Sequence, residues 1–140
     1  MCNAISSTTM SESEASALAP KAILAGHGAF AEGALSAVAQ ITGLQDRFIA
    51  FSNVGLGPGE IESRLREVLD ATGARLIFTD LPAGSCTIAA RRIAKDRPDV
   101  VVVTGVALPT LLSFVCGSDV QAAVEQGRKA LNVLEVPRGA

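Results

Sequence analysis

The amino-acid sequence predicts an α/β fold: a three-layer sandwich around a mainly parallel sheet with a strand order of about 2-1-3-4. Four short apolar runs, each compatible with a buried strand, alternate with segments whose apolar residues recur at helical spacing. Hydrophobic residues make up 49% of the 140 residues and charged residues 19%, so the chain can bury the core of one domain. Because helices connect the strands, we expect neighbouring strands to run parallel with helices on both faces of the sheet.

The first half of the chain contains two strand–helix units. A strand over residues 21–25 ends at the turn 26–28, and the helix that follows ends at Gly43. A second strand over 47–52 leads into the glycine-rich turn 55–59, which lacks the Lys-Ser/Thr of a phosphate-binding loop and therefore predicts a plain connection. The apolar stripe of the next helix consists of Ile61, Leu65, Val68 and Leu69.

The second half repeats this pattern. A third strand over residues 74–79 is followed by the turn 80–84, and Ser85 is placed to cap the next helix. A fourth strand over 99–104 has an apolar run that predicts burial on both faces. The remaining predicted elements are a short helix over 108–115, a last helix that Ser118 caps and that ends near Gly127, and an antiparallel fifth strand over 130–134.

The chain is predicted to consist of a flexible leader over residues 1–19 and a single domain over 20–140. The leader is rich in Ser, Ala and Glu and lacks the basic start and apolar core of a signal peptide. No apolar stretch approaches the roughly 18–20 residues of a transmembrane helix. The three cysteines of the chain form no C-x-x-C pair, so neither a disulfide framework nor a zinc knuckle is expected. These features predict a cytoplasmic protein.

Composition also limits the function. The formal net charge is −2, aromatic residues make up 4%, and neither Trp nor Tyr occurs, which argues against nucleic-acid binding. The chain contains one histidine, His27, which excludes a metal site with two histidines from one subunit. In a parallel sheet, ligands bind beyond the carboxyl ends of the strands at the point where the strand order reverses. With the order 2-1-3-4, His27 and Asp80 face each other across that point.

The residues alone leave several roles open for His27. A metal site is disfavoured because the neighbouring turns contain no second His, and dinucleotide binding because the second strand ends without an acidic residue. A Ser-His-Asp hydrolase would use Ser85, but the G-x-S-x-G elbow is missing. A nucleophilic histidine that accepts a phosphoryl group fits better, with the backbone N–H groups of residues 28–31 stabilising the charge. The possibility that His27 only caps a turn also stays open.

Three segments resemble the enzyme IIA domains of the mannose family, which belong to the bacterial phosphoenolpyruvate-dependent sugar phosphotransferase system (PTS). Residues 25–35 read AGHGAFAEGAL and resemble the family's H-G followed by F/L-A-x-G-L/A-L. Residues 78–85 read FTDLPAGS and resemble its T-D-L-x-G-G-S/T-P, whereas residues 103–112 read VTGVALPTLL and resemble its V-T-G-x-N-L-P-M-L-L. The matching blocks lie in family order between about residues 21 and 132.

The resemblance implies a phosphotransferase that carries a phosphoryl group on His27. The donor would be the histidine-containing phosphocarrier protein and the acceptor an enzyme IIB domain, for sugar uptake; the alternative is a regulatory protein whose phosphorylation state another protein senses. Asp80 would hold the histidine, and support at the phosphoryl site would come from Gly28, Phe30, Gly84 and Ser85. The resemblance also implies no metal or organic cofactor, peripheral association with a membrane permease, and a homodimer that exchanges its C-terminal strand.

The chain departs from the family pattern at four positions near these motifs. Ala83 replaces the second glycine before Ser85, and Cys86 replaces the proline after it. Ala107 replaces an asparagine, and Thr110 an apolar residue. Neither His27 nor Asp80 is affected, so these differences bear on the choice of partner more than on phosphorylation.

Overall fold

A computed structural model describes residues 21–139, and within this range the chain folds around one four-stranded sheet. All strand pairs are parallel, and the strand order is 2-1-3-4, which confirms the predicted fold class. The strands are β1 (Ala22–Gly26), β2 (Phe48–Ser52), β3 (Leu76–Thr79) and β4 (Val101–Val103). The leader predicted at residues 1–19 lies outside the described residues.

Between residues 21 and 139, five α-helices cover the two faces of the sheet. They are α1 (Phe30–Thr42), α2 (Pro58–Thr72), α3 (Ser85–Asp96), α4 (Leu108–Val115) and α5 (Val120–Ala130), and a 3₁₀ turn spans Gln45–Arg47. Residues of α2 and α3 form one core with the sheet, and residues of α1 and α4 form a second core on the opposite face. Helix α5 packs against α4. The chain is therefore a three-layer sandwich.

The central strand β1 divides its side chains between the two cores. Ile23 and Ala25 are fully buried with α2 and α3, whereas Ala22 and Leu24 are fully buried on the other face. This alternation follows from the two-residue period of a strand. The fourth strand differs from its prediction, because β4 is an edge strand and the side chain of Val101 is 48% exposed.

The C-terminal elements correct two further predictions. Asp119, rather than Ser118, caps α5 by accepting a hydrogen bond from the backbone N–H of Ala122 at 2.8 Å. The predicted fifth strand over 130–134 is not a strand: α5 includes Ala130, and residues 131–139 adopt no regular structure. A strand needs a neighbour for its backbone hydrogen bonds, and within the described chain this segment pairs with none.

Gly127 does not end the last helix as predicted but lies inside α5, where it permits close packing against α4. A Cβ at this position would overlap the Thr110 hydroxyl and lie 3.3 Å from the Thr110 Cβ. Thr110 itself is buried, so it cannot move into solvent. The glycine is therefore required by the approach of the two helices, not by a turn.

We expect Gly127→Ala to lower the free energy of unfolding by about 1–3 kcal/mol, because overpacking outweighs the gain in helix propensity. Thermal or denaturant unfolding measures the change. Gly33→Ala in α1 is the matched control: a Cβ there meets nothing within 4 Å, so it should stabilise by up to about 1 kcal/mol. Thr110→Ala should restore part of the stability that Gly127→Ala loses, and a stable Gly127→Ala variant would contradict the packing argument.

Two other expectations concern cysteines and membrane spans. Cys86 is a buried free thiol, whereas Cys116 is disulfide-bonded, which the spacing of the cysteines did not predict. The cysteine pattern therefore gives no argument about the cellular compartment.

None of the helices between residues 21 and 139 is both long and apolar enough to cross a membrane.

Candidate active site

The candidate site lies where β1 and β3 end, at the reversal of the strand order. His27 directly follows β1, and its side chain is 45% exposed. Gly28 adopts a positive φ of 53°, which turns the chain from the strand into α1. Phe30 begins that helix, and its backbone N–H donates to the His27 carbonyl at 3.0 Å. The short turn thus holds the histidine at the surface.

Asp80 directly follows β3 and binds His27 twice through one carboxylate oxygen. Its Oδ2 accepts from the His27 backbone N–H at 2.8 Å and lies 2.8 Å from the ring nitrogen Nδ1. The Asp80 side chain is 10% exposed, and its Oδ1 is buried without a hydrogen-bond partner among the described residues. Both of these hydrogen bonds at Oδ2 therefore come from His27.

The pKa of Asp80 reflects this contact. Burial alone raises the pKa of the carboxyl group, since it disfavours the charged form. The hydrogen bonds from the His27 backbone and ring outweigh burial, and the pKa of Asp80 lies below its usual value. Asp80 is thus ionised at neutral pH and acts as a hydrogen-bond acceptor.

An ionised Asp80 determines which nitrogen of His27 carries the proton. A carboxylate can only accept, so the ring contact at 2.8 Å requires a proton on Nδ1. In the neutral imidazole the other nitrogen, Nε2, then holds the free lone pair. The arrangement therefore leaves the lone pair of Nε2 free of Asp80.

The start of α3 lies against the edge of the His27 ring that contains Cε1 and Nε2. A Cβ at Gly84, which precedes α3, would lie 2.7 Å from His27 Cε1 and 3.6 Å from Nε2. Gly84 has no side chain to cap the helix, so the first N–H groups of α3, which begins beside the ring, have no side-chain cap at this position. The sequence pointed to the N–H groups of residues 28–31, and the structure adds the start of α3 as a second element close to the ring.

Gly26 permits a second close approach beneath the histidine. A Cβ there would lie 2.8 Å from Phe30 Cδ2 and 3.0 Å from Asp80 Oδ2. Phe30 and Asp80 thus pack over the last residue of β1, and no larger residue fits between them. This explains structurally why a glycine precedes His27, which sequence reasoning had left without a role.

Ser52, the last residue of β2, and Asn53, the first residue after it, are polar residues to which sequence reasoning gave no role. The Ser52 hydroxyl donates to the Gly28 carbonyl at 2.8 Å, and the Asn53 backbone N–H donates to the Gly26 carbonyl at 3.1 Å. The Asn53 side-chain amide donates to the Ser85 hydroxyl oxygen at 3.0 Å. The signal that could have identified them is their position, since polar residues at the carboxyl end of a strand next to β1 must reach the site.

The geometry disfavours two other chemistries. The His27 ring bonds to Asp80, the Ser85 hydroxyl accepts from Asn53, and no hydrogen bond between Ser85 and His27 is found among the described residues, so the two do not form the nucleophile–base pair of a hydrolase. Burial, followed by the negative charge of Asp80, raises the pKa of the Cys86 thiol to about 11, so this thiol stays protonated at neutral pH. Between residues 21 and 139, no group of three or more His, Cys, Asp or Glu side chains could hold a metal ion.

A separate cavity of about 390 Å³ lies between the loop after β4 and helix α5. Thr104, Thr110 and Arg128 are among its lining residues, whereas His27 and Asp80 are not. The histidine instead stands on an open part of the surface, which another protein can reach.

Comparisons with known proteins identify a family for this chain. A family model described as "PTS system fructose IIA component" matches residues 21–131, which is most of the chain. A search of curated proteins found no significant match.

Several solved structures share the fold. The mannose/sorbose-specific IIA subunit of the phosphotransferase system from Enterococcus faecalis matches with a TM-score of 0.74 and 21% identity, covering 86% of this chain and 98% of the other. The PTS IIA protein associated with the fucose utilization operon of Streptococcus pneumoniae matches with a TM-score of 0.73 and 23% identity, covering 81% and 92%. Phosphotransferase system component EIIA from Streptococcus agalactiae matches with a TM-score of 0.72 and 22% identity, covering 82% and 97%. The family match, which spans all three motifs around His27, shows that this chain belongs to the mannose/fructose family of PTS IIA components.

Proposed function

We propose that this PTS component carries a phosphoryl group on Nε2 of His27. The observation that carries the proposal is the 2.8 Å contact between Asp80 Oδ2 and His27 Nδ1, which leaves Nε2 as the free nucleophile on a side chain that is 45% exposed. The phosphoryl donor is the histidine-containing phosphocarrier protein, and the acceptor is an enzyme IIB domain. Membership of the family supports both partners.

The transfer exchanges one phosphorus–nitrogen bond for another. The Nε2 lone pair attacks the phosphorus atom in line with the donor nitrogen; a bond to Nε2 forms while the bond to the donor breaks, and the electron pair returns to the donor. The His27 ring gains positive charge, because Nδ1 keeps its proton. The Asp80 carboxylate stabilises that charge through a charge-assisted hydrogen bond. Transfer to the IIB domain is the same step with the roles exchanged.

The start of α3 supports the transferred phosphoryl group. Gly84 lies against the His27 ring, and the first N–H groups of the helix are free of a side-chain cap. A helix N-terminus favours anions because its N–H groups and the helix dipole point towards them. We assign Gly84 and Ser85 to phosphoryl binding, and Gly28 and Phe30 to holding the turn that presents His27.

Apolar side chains beside His27 offer contact area to a partner protein. Leu81 is 50% exposed and its Cβ lies next to Gly84, while Ile88 is 48% exposed in the first turn of α3. Apolar residues at an exposed site favour protein docking over solvation. Such partners place the protein at the cytoplasmic side of a membrane permease; recruitment to membranes that contain the permease, compared with membranes that lack it, tests this association.

We further propose a homodimer in which the C-terminal segment of one copy pairs with β4 of the other. Within the described chain β4 pairs only with β3, and the apolar tail side chains are exposed at Leu131, Val133, Leu134 and Val136. Ending the chain after Ala130 should convert the dimer to a monomer in sedimentation velocity. A truncated chain that still dimerises would contradict the exchange.

Reconstitution tests the function. With phosphoenolpyruvate, enzyme I and the phosphocarrier protein, we expect one acid-labile phosphoryl group per chain, which an enzyme IIB domain then removes. Failure to acquire the group would refute the proposed function. Loading without transfer to any IIB domain would favour the alternative, a regulatory protein whose phosphorylation state is sensed without sugar transport. Genes for IIB, IIC and IID components beside this one would favour transport.

A further inference from the structure

We propose that Asn53 is a positioning residue that turns the Ser85 hydroxyl into a hydrogen-bond donor towards the phosphoryl group on His27. This inference rests on the proposed function. Asn53 reaches both sides of the site: its backbone N–H donates to the carbonyl of Gly26, next to His27, and its side-chain amide donates to Ser85 Oγ at 3.0 Å. Its loop thereby joins the histidine turn to the start of α3.

The direction of the Asn53 hydrogen bond decides the role of the hydroxyl. A serine hydroxyl has one proton and two acceptor lone pairs. Because the Asn53 amide occupies a lone pair of Ser85 Oγ, the Ser85 proton is left to donate elsewhere. Ser85 follows Gly84, which lies against the Cε1 edge of the His27 ring close to Nε2. A phosphoryl group on Nε2 is therefore within the region that this proton can reach.

One neighbour competes for that proton. The Cys86 thiol lies beside Ser85, and hydrogen bonding from Ser85 lowers its pKa slightly against the larger effect of burial. A thiol sulfur is a weak acceptor, whereas a phosphoryl oxygen carries negative charge and accepts much more strongly. When His27 is phosphorylated, the Ser85 proton therefore turns to the phosphoryl oxygen. The Asn53 atom that meets Ser85 Oγ is the amide nitrogen, a donor, so Asn53 does not take up this proton.

The decisive variant is Asn53→Asp. An aspartate has the same shape and can still join the loop to Ser85, but it only accepts, so it takes the Ser85 proton away from the phosphoryl group. A purely structural role of Asn53 would survive this change. Val54→Asp adds the same charge to an exposed neighbour in the same loop and serves as the matched control, and Ser113→Ala matches Ser85→Ala at a distant hydroxyl pair.

The experiment loads His27 from phosphoramidate, a small phosphoryl donor, and follows the adduct by ³¹P NMR, so that no partner protein is needed. We expect Ser85→Ala and Asn53→Asp each to slow loading by about tenfold, as for a lost charge-assisted hydrogen bond. Adding Asn53→Asp to Ser85→Ala should slow loading no further, because the hydroxyl is already missing. The two control variants should load within about twofold of the wild type.

The outcomes separate the two proposals. The role of Asn53 would be overturned if Asn53→Asp loads at the wild-type rate. It would also be overturned if Asn53→Asp slows loading by the same factor in the wild type and in the Ser85→Ala variant. Either result would leave the function of His27 intact. Loading from phosphoramidate without loading from the phosphocarrier would refute the carrier function and still test Asn53. Failure of the wild type to load from either phosphoramidate or the phosphocarrier would overturn both, since Nε2 would not be nucleophilic.

Discussion

His27→Ala is expected to abolish phosphorylation completely. The chain contains a single histidine, so no other imidazole can replace it. In reconstitution with phosphoenolpyruvate, enzyme I and the phosphocarrier protein, the variant should acquire no acid-labile label above the level without enzyme I. The loss corresponds to removal of the nucleophile and not to a weaker interaction, which makes it the largest effect we predict.

The melting temperature shows whether the His27→Ala variant is still folded. The His27 side chain is 45% exposed, so its removal costs little burial, and the backbone hydrogen bond from residue 27 to Asp80 can persist. The melting temperature should therefore stay close to that of the wild type. Acid-labile label in a folded His27→Ala variant would place the phosphoryl group elsewhere and refute the proposed function.

Asp80→Asn is expected to slow phosphoryl transfer by about tenfold to a hundredfold. Asparagine can still accept through its oxygen, but it lacks the charge that stabilises the cationic ring, and a charge-assisted hydrogen bond contributes about 1.5–3 kcal/mol. Rapid-quench measurement of transfer at saturating phosphocarrier protein gives the rate. Asp70→Asn is the matched control, since Asp70 is an exposed partner of Arg97 on α2, away from the site. A wild-type rate in Asp80→Asn would remove Asp80 from the mechanism.

The wild type and Asp80→Asn are also expected to differ in stability, by an amount that depends on pH. The pKa of Asp80 is lower in the folded chain than its ordinary value, so ionisation of Asp80 stabilises the fold above the unfolded pKa of about 3.9. This contribution is lost as the pH falls through the lower, folded pKa. The melting temperature of the wild type relative to Asp80→Asn should therefore decline from neutral pH into this acidic range. A difference that stays constant down to strongly acidic pH would show that the charge of Asp80 does not stabilise the fold.

Local patterns in the sequence were sufficient for the architecture. The apolar runs at β1 and β3 and the helical stripe of α2 predict elements whose bounds differ from the structure by only a few residues. These patterns are strong because burial on the sheet and on one helix face requires apolar residues at fixed periods. Predictions were weaker at the C-terminus. The conformation at Gly127 and in the tail depends on which elements pack against them and not on the residues next to them in the sequence.

The sequence by itself determined the α/β class and placed His27 and Asp80 at the ends of two strands, because chain order and periodicity are local properties. Only the tertiary structure decided which ring nitrogen is free, that the ring faces the start of α3, and that Asn53 bonds to Ser85. These features depend on distances between residues far apart in the chain and on the orientation of single side chains. The sequence shows that the chain has one histidine, and the structure shows that Asp80 binds its Nδ1 and leaves Nε2 free.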